Sequence, residues 1–274
     1  MVSIAPERLE AARRHYRHCL LCEHRCGVDR SRGEVGFCRA TDQARVYRHR
    51  IEYSEELELV PSHLFYLSGC NLRCAFCVAG IDAFDPTRGE PLTSDFFSEA
   101  LAWGFEQGVH NLQWVGGEPT IHLPAVLAAM SGVPSLPPIA WKSAFHCTPE
   151  ALDLLDGIVD VYVADFKFGN NACAERIAGV KGYLEILARN LEVLAHRADL
   201  IVRHLLLPGH FDCCYRPIVD WMARFLPDVK FSLRNGYLPS WRAHQHDELA
   251  RVLPAETIHR ARDLAVEKRL NLIQ

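Results

Sequence analysis

From residue 63 onward the chain repeats one pattern, a short apolar run, a turn, and a longer stretch with helical spacing. The strand-like runs are HLFYLS (63–68), NLQWVGG (111–117), PIAWKS (138–143), VDVYVADFKF (159–168), DLIVRHLLLPG (199–209) and VKFSLRN (229–235). Between and after them lie helix-like segments 93–108, 123–132, 148–157, 182–197, 214–226 and 256–271. In the first of these helices Phe97, Leu101 and Phe105 recur every fourth residue, with Thr93 or Ser94 as cap. Thr148 and Pro149 open another in the manner of a cap followed by a first-turn proline. Strands alternating with helices predict a parallel sheet. Six such units fall short of the eight that close a barrel. The expected fold is therefore α/β, an open partial (β/α)6 barrel with its functional edge at the C-terminal ends of the strands.

Residues 1–62 read differently. They are rich in Arg, His and Cys and show little strand or helix period beyond one short helix in APERLEAARRHYRHCL. The expected division is a cysteine-rich, metal-binding extension over 1–62 and the barrel over 63–274. The net charge of −4 and a pI near 6.4 provide no basic field for nucleic acid. No apolar run is long enough to span a bilayer, and the N-terminus turns charged without a signal-like apolar core. These features predict a cytoplasmic protein with neither a nucleic-acid nor a membrane partner.

In a reducing compartment, eleven cysteines point to metal ligands or catalytic groups before disulfides. They fall into sets. Cys19, Cys22, Cys26 and Cys38 supply four thiols, the number for a closed site holding zinc or an iron–sulfur cluster. Cys70, Cys74 and Cys77 supply only three, in a loop directly after the first barrel strand. Three thiolates on a four-iron cubane leave one iron open, and an open position on a bound metal is where a small molecule coordinates.

The spacing Cys70-x3-Cys74-x2-Cys77, with aromatic Phe76 before the last cysteine, resembles the signature of the radical S-adenosylmethionine (SAM) enzymes. The resemblance implies that these three cysteines carry a [4Fe–4S] cluster whose open iron chelates SAM. It further implies that reductive cleavage of SAM yields a 5′-deoxyadenosyl radical, which takes hydrogen from a substrate. WVGGEPT (114–120) closes the next strand, and its Gly116, Gly117 and Glu118 match the family's Gly-Gly-Glu-Pro, which binds the SAM amino group. VADFKF (163–168) is similar to the Asp-Leu-Lys of glycyl-radical activating enzymes. Asp165 would then meet the ribose and Lys167 the carboxylate, the two sharing a strand face. VRHLLLPGH (202–210) resembles a strand and Pro-Gly turn of the same enzymes, and Arg203 faces either substrate or SAM or forms a structural ion pair. Ser143 is the nearest match to a SAM-contacting hydroxyl, although Phe145 replaces the glycine that usually follows.

CLLCEHRCGVDRSRGEVGFCR (19–39) is close to the opening of the pyruvate-formate-lyase-activating-enzyme-like subgroup. That resemblance favours hydrogen abstraction from a backbone glycine of a partner enzyme, with flavodoxin or ferredoxin as electron donor. Modification of a small metabolite or a peptide in cofactor or natural-product synthesis is a second reading. A non-catalytic iron–sulfur electron carrier is a third, disfavoured because a carrier needs no SAM pocket. Lys142, His146 and Cys147 either supply chemistry particular to this chain or line a loop, and the vicinal pair Cys213-Cys214 acts as thiol donor or ligand, or packs as small apolar residues.

Overall fold

The computed structural model describes residues 4–273. The chain forms two compact units, Met1–Asn71 with Ile81–Val161, and Leu72–Gly80 with Tyr162–Gln274.

The first unit opens with helix α1 (Pro6–Arg17), which starts on a proline, carries Glu7 in its first turn and ends on Arg14, His15 and Arg17, in the sense that suits the helix dipole. It packs on two later helices, and the Arg8 guanidinium donates to the Asp156 carbonyl. Strand β1 (Arg45–Glu52) runs antiparallel to β2 (Ser62–Leu67). The expectation of little regular structure before residue 63 is corrected here. In RVYRHRIE only Val46 and Glu52 are buried, so charged and aromatic side chains mask the two-residue period of the strand. An antiparallel strand added to a parallel sheet is a common arrangement. A short helix α2 (Ile81–Phe84) and a two-residue strand β3 (Glu90–Pro91) follow, the latter pairing with β1.

Helix α3 (Ser94–Glu106) is capped by Thr93, whose hydroxyl accepts from the Phe96 N–H. Phe97, Ala100, Leu101 and Gly104 form its buried face, whereas Phe105 is 48% exposed, so the expected four-residue stripe turns off the core at its end. Gly104 explains the shift. A Cβ there would lie 2.3 Å from His63 Nδ1, so the helix can lie this close to β2 only with glycine at the contact. Next come β4 (Asn111–Gly116), α4 (Leu123–Ser131), β5 (Ile139–Ser143) and α5 (Pro149–Leu155), the last capped by Thr148 as expected. The strand order is β3-β1-β2-β4-β5, with β2, β4 and β5 parallel. Register places Phe65 beside Trp114 and Trp114 beside Trp141, all fully buried, and Phe97 stacks on Trp114 with centroids 5.2 Å apart.

The second unit contains β6 (Val161–Asp165), α6 (Asn171–Ala178), α7 (Tyr183–Leu194), β7 (Asp199–Leu205), α8 (Arg216–Phe225), β8 (Lys230–Arg234), α9 (Ala255–Glu267) and β9 (Asn271–Ile273). Its strand order is β6-β7-β8-β9, with β7, β8 and β9 parallel. Helix α6 was not expected. It is a short helix set by its ends: Asn170 caps it through the Cys173 N–H, and Gly179 leaves it at φ +68°. A π-helical turn, Phe211–Tyr215, precedes α8. The six expected strands are all present, and β1, β3 and β9 add to them, giving an α/β fold with a mixed sheet. Among the described residues no helix is long and apolar enough to cross a membrane.

Candidate functional site

The three-cysteine loop leaves β2 through Ser68 and Gly69, the glycine at φ +87°. Cys70 lies in the first unit, Cys74 and Cys77 in the second. Cys74 is buried and Cys77 half-buried. Residues 73–77 hang on the last turn of α6, with Arg73 N–H donating to the Ala178 carbonyl at 2.7 Å and Ala75 N–H to the Ile177 carbonyl at 2.9 Å. On the other side, the Arg242 N–H donates to the Ala75 carbonyl at 2.9 Å, and Phe76 lies edge-on to Phe168 and Tyr237. Segment 237–242 therefore runs along the loop. The only sign of this in the sequence is that conspicuous aromatics, Tyr237 and Trp241, occur in a stretch otherwise free of helix or strand period.

Burial pushes the Cys74 thiol up to about 12, and the nearby Lys167 ammonium acts in the opposite sense. Lys167 Nζ donates to Asp165 Oδ2 at 2.6 Å, and Arg203 Nε lies 3.8 Å from Asp165 Oδ1. Burial is the largest single effect and works against the charged lysine, but Asp165 and Cys74 together outweigh it and hold Lys167 above its ordinary pKa. The strand β6 ends at Asp165, so Lys167 sits just past the strand rather than on its face. Its N–H donates to the Tyr183 hydroxyl at 2.8 Å, which in turn donates to the Asp165 carbonyl. The candidate pair thus meets through a turn stapled by a buried tyrosine.

In the first unit, the turn after β4 is built on close backbone approach. Gly116 adopts φ +125°, and Gly117 N–H donates to the Leu67 carbonyl at 2.7 Å. A Cβ on Gly117 would lie 1.9 Å from the Gly69 carbonyl, so the two loops pass each other with no room for a side chain. Glu118 is 1% exposed, and its carboxylate points inward. Oε1 accepts from the Thr120 N–H at 3.0 Å and the Ser143 hydroxyl at 2.7 Å, and Oε2 accepts from the Ala144 N–H at 3.0 Å. Burial raises its pKa and these donors lower it, with burial the larger effect. A carboxylate has about four acceptor positions, so this one retains about one for an ammonium. Ser143 is joined to Glu118 and also accepts from the Phe145 N–H at 2.8 Å. Phe145, standing where glycine was expected, adopts φ +47° and is fully buried, so the left-handed turn is kept despite the larger side chain. Lys142 pairs with Glu55 and, at 3.2 Å, with the fully buried Glu56.

The four-cysteine set belongs to the same unit. Cys19, Cys22 and Cys38 are buried and Cys26 is half-buried. Burial raises the Cys19 thiol and pushes Cys22 up to about 12. Among them sits Arg30, 2% exposed, whose Nη2 donates to Cys19 Sγ at 3.0 Å and lies 3.6 Å from Cys38 Sγ, and whose Nη1 donates to the Ile121 carbonyl at 2.7 Å. Burial disfavours its charge, but the four cysteines together hold its pKa above the ordinary value. Gly36 gives Cys26 its place, since a Cβ there would stand 2.5 Å from the sulfur. The set is anchored by a backbone bridge between Cys22 and Cys147 and by Thr148, whose hydroxyl donates to the Leu20 carbonyl at 2.7 Å. His24, stacked on Phe37, is 2.8 Å from the Asn71 carbonyl, and Asn71 Nδ2 donates to the His146 carbonyl at 2.9 Å. The cysteine-rich segment is therefore tied to the residue that follows Cys70, a link that spacing along the chain does not reveal.

Several known proteins resemble the chain. It is 35% identical to the uncharacterized protein MJ0674 of Methanocaldococcus jannaschii over 272 residues, 97% of this chain and 79% of that one. The structure of Streptococcus suis SuiB bound to its precursor peptide SuiA matches with a TM-score of 0.55 at 11% identity, over 74% of this chain and 46% of SuiB. The structure of TYW1 with a lysine-pyruvate adduct bound matches with a TM-score of 0.50 at 13% identity, over 74% of this chain and 73% of TYW1. At these identities SuiB and TYW1 share the fold. The sequence profile of the radical SAM superfamily matches residues 64–222, from the strand before the three-cysteine loop to α8, and the chain belongs to that superfamily.

Proposed function

We propose that this radical SAM enzyme removes a hydrogen atom from a polypeptide substrate. Membership of the superfamily implies a [4Fe–4S] cluster and SAM, and the residues fit both. Cys70, Cys74 and Cys77 would hold the cluster, which when bound supplies the electron that cleaves the SAM sulfonium. An external donor of the flavodoxin or ferredoxin kind would recharge it. The glycine turn at Gly116 and Gly117 would admit the methionine end of SAM, with Glu118 and Ser143 beneath it. Lys167, kept protonated by Asp165, would meet the SAM carboxylate, and Arg203 would balance Asp165, while Phe76 would close the loop over the cofactor. Protein walls around the reacting carbon limit side reactions with water. Cys19, Cys22, Cys26 and Cys38 would hold a second centre, iron–sulfur or zinc, whose anionic thiolates account for the buried Arg30.

The observation that carries the choice of substrate is the surface beside Cys77. Val78 is 83% exposed, Leu238 66% and Trp241 37%, and Trp241 lies against the loop, with Cε3 3.0 Å from where a Gly80 Cβ would be. Exposed apolar side chains on a cofactor loop suit a polypeptide partner better than a small polar metabolite. SuiB, of the same fold, has been captured with a precursor peptide. The partner would be either a glycyl-radical enzyme or a peptide.

The test uses reduced, reconstituted enzyme and a deuterated cell extract split by size. Deuterium should enter 5′-deoxyadenosine from the macromolecular fraction. Transfer only from the small-molecule fraction would refute the polypeptide reading, and no SAM cleavage under any reductant would refute the enzyme reading. Cys74→Ala should abolish cleavage in either case.

A further inference from the structure

A separate group of ligand-type side chains converges in the second unit. Cys173 stands in the first turn of α6, His210 follows the Pro208-Gly209 turn after β7, and Cys213 and Cys214 lie on the π-helical turn before α8. Their ligand atoms all lie within 4.8 Å of one another. His210 Nδ1 is 3.3 Å from Cys213 Sγ, 3.5 Å from Cys214 Sγ and 3.6 Å from Cys173 Sγ. Cys213 Sγ is 3.9 Å from both Cys173 Sγ and Cys214 Sγ.

These five separations match five of the six edges expected of a tetrahedral ligand set, and the sixth, between Cys173 and Cys214, lies within 4.8 Å. Bonds of about 2.3 Å to sulfur and about 2.0–2.1 Å to nitrogen put two sulfurs about 3.8 Å apart and a sulfur and a nitrogen about 3.6 Å apart. A cubane cluster distributes its thiolates over separate irons and holds them farther apart, so it does not fit. We infer that Cys173, His210, Cys213 and Cys214 form a closed Cys3His site for a single tetrahedral, thiolate-preferring ion of the zinc class.

The surroundings are those of a metal site. For Nδ1 to bind a metal, the imidazole proton must sit on Nε2, and Nε2 faces Glu248 Oε1 at 3.5 Å. Arg176 in turn holds that carboxylate at 2.6 Å. A carboxylate behind a ligating histidine fixes its tautomer and raises its basicity. Asn170 accepts from the Cys173 N–H at 2.8 Å, and its amide nitrogen lies 3.2 Å from Cys173 Sγ and donates to the Cys213 carbonyl at 2.7 Å, tying the two ligand-bearing segments together. Adjacent residues diverge by about 100° on an α-helix. Here the widened π-turn brings both Cys213 and Cys214 to the same point, and Gly169 makes room, since a Cβ there would stand 2.2 Å from the Cys214 carbonyl. Cys213 is exposed, so it is not packed as a small apolar core residue.

With four protein ligands the site has no open position, and its role is to hold structure. The ion joins the 210–214 turn to the first turn of α6, and the last turn of α6 carries the backbone of Arg73 and Ala75 in the cluster loop. The inference does not depend on the substrate proposed above.

The test is elemental analysis of full-length protein purified anaerobically with zinc supplied. About one zinc per chain is expected at this site, above any zinc that Cys26→Ser removes from the N-terminal cysteines. Zinc-edge X-ray absorption should report three sulfur neighbours and one nitrogen. Cys213→Ser and His210→Gln should each lower this zinc at least tenfold and leave iron content unchanged, whereas Cys26→Ser should leave it in place. A zinc content that neither variant lowers by about one per chain, a zinc environment without nitrogen, a Cys173–Cys213 disulfide in the anaerobic protein, or wild type without zinc would each overturn the assignment. If the variants fail to fold, the absorption spectrum of the wild type decides.

Discussion

Replacing Arg30 with methionine tests whether the N-terminal cysteines are ionised around a metal, because the two possibilities predict changes of opposite sign. Arg30 is 2% exposed and touches two sulfurs and the Ile121 carbonyl. If the thiols are neutral, Arg30 is a buried cation without a counter-charge. An apolar residue of similar volume would then be neutral or stabilising by about 1–4 kcal/mol. If the thiols are thiolates on a metal, the substitution strips the counter-charge from a buried anion at about 3–5 kcal/mol. Losing the charge-assisted bond to Ile121 adds about 1.5–3 kcal/mol, partly overlapping with the first cost. A net loss of about 4–6 kcal/mol would lower the melting temperature of a chain of this size by roughly 8–24 °C. The assay is anaerobic thermal unfolding of metal-loaded and chelator-treated protein, with iron and zinc quantified in each. Loaded Arg30→Met should be strongly destabilised and lose its N-terminal metal, whereas Arg30→Lys, which keeps the charge without the planar fork, should fall between. A loaded variant as stable as wild type, or more stable, would refute the anionic centre.

Gly117→Ala should disrupt the glycine turn, because its Cβ would lie 1.9 Å from the Gly69 carbonyl, with a loss of about 1–3 kcal/mol or more. Denaturant unfolding would measure the loss, and an unchanged midpoint would contradict the packing. Asp165→Asn should let the Lys167 pKa fall and weaken SAM binding about tenfold, roughly 1.4 kcal/mol, with iron content unchanged, as read by calorimetric titration. His122 is 3% exposed and its Nε2–H donates to the Ser68 carbonyl at 2.6 Å, and burial brings its pKa down to about 4 from 6.5. The unfolded chain then takes up the proton first as pH falls, so stability is full above about pH 6.5 and drops toward pH 4 by about 3 kcal/mol. His122→Asn should flatten that part of the stability–pH curve, and an unaltered slope would exclude His122 as its source.

The parts of the chain that could be read in advance share a physical cause. The six main strands and their helices were legible because each buries an apolar face with a fixed period, and the caps at Thr93 and Thr148 because a hydroxyl before a helix has one local task. Strand β1 escaped because its charged residues obey no apolar alternation, and it is held by pairing with β2 and β3 rather than by its own pattern. Phe105 left the core because Gly104 let α3 lie against His63, a contact between residues far apart in sequence.

The same division separates the sites. The sequence by itself determined the radical SAM signature, since Cys70, Cys74 and Cys77 sit on one short loop and a ligand set confined to a loop survives as spacing. It also determined the four-cysteine set for the same reason. The tertiary structure alone decided that Arg30 stands among those four thiols, that the Glu118 carboxylate turns inward to Ser143 and Ala144, and that segment 237–242 lines the cluster loop. It alone also brought Cys173 to His210, Cys213 and Cys214. Those side chains are drawn from α6 and a π-turn about forty residues apart, a distance over which chain spacing carries no geometric information and only the packing of helix on strand fixes where a ligand points.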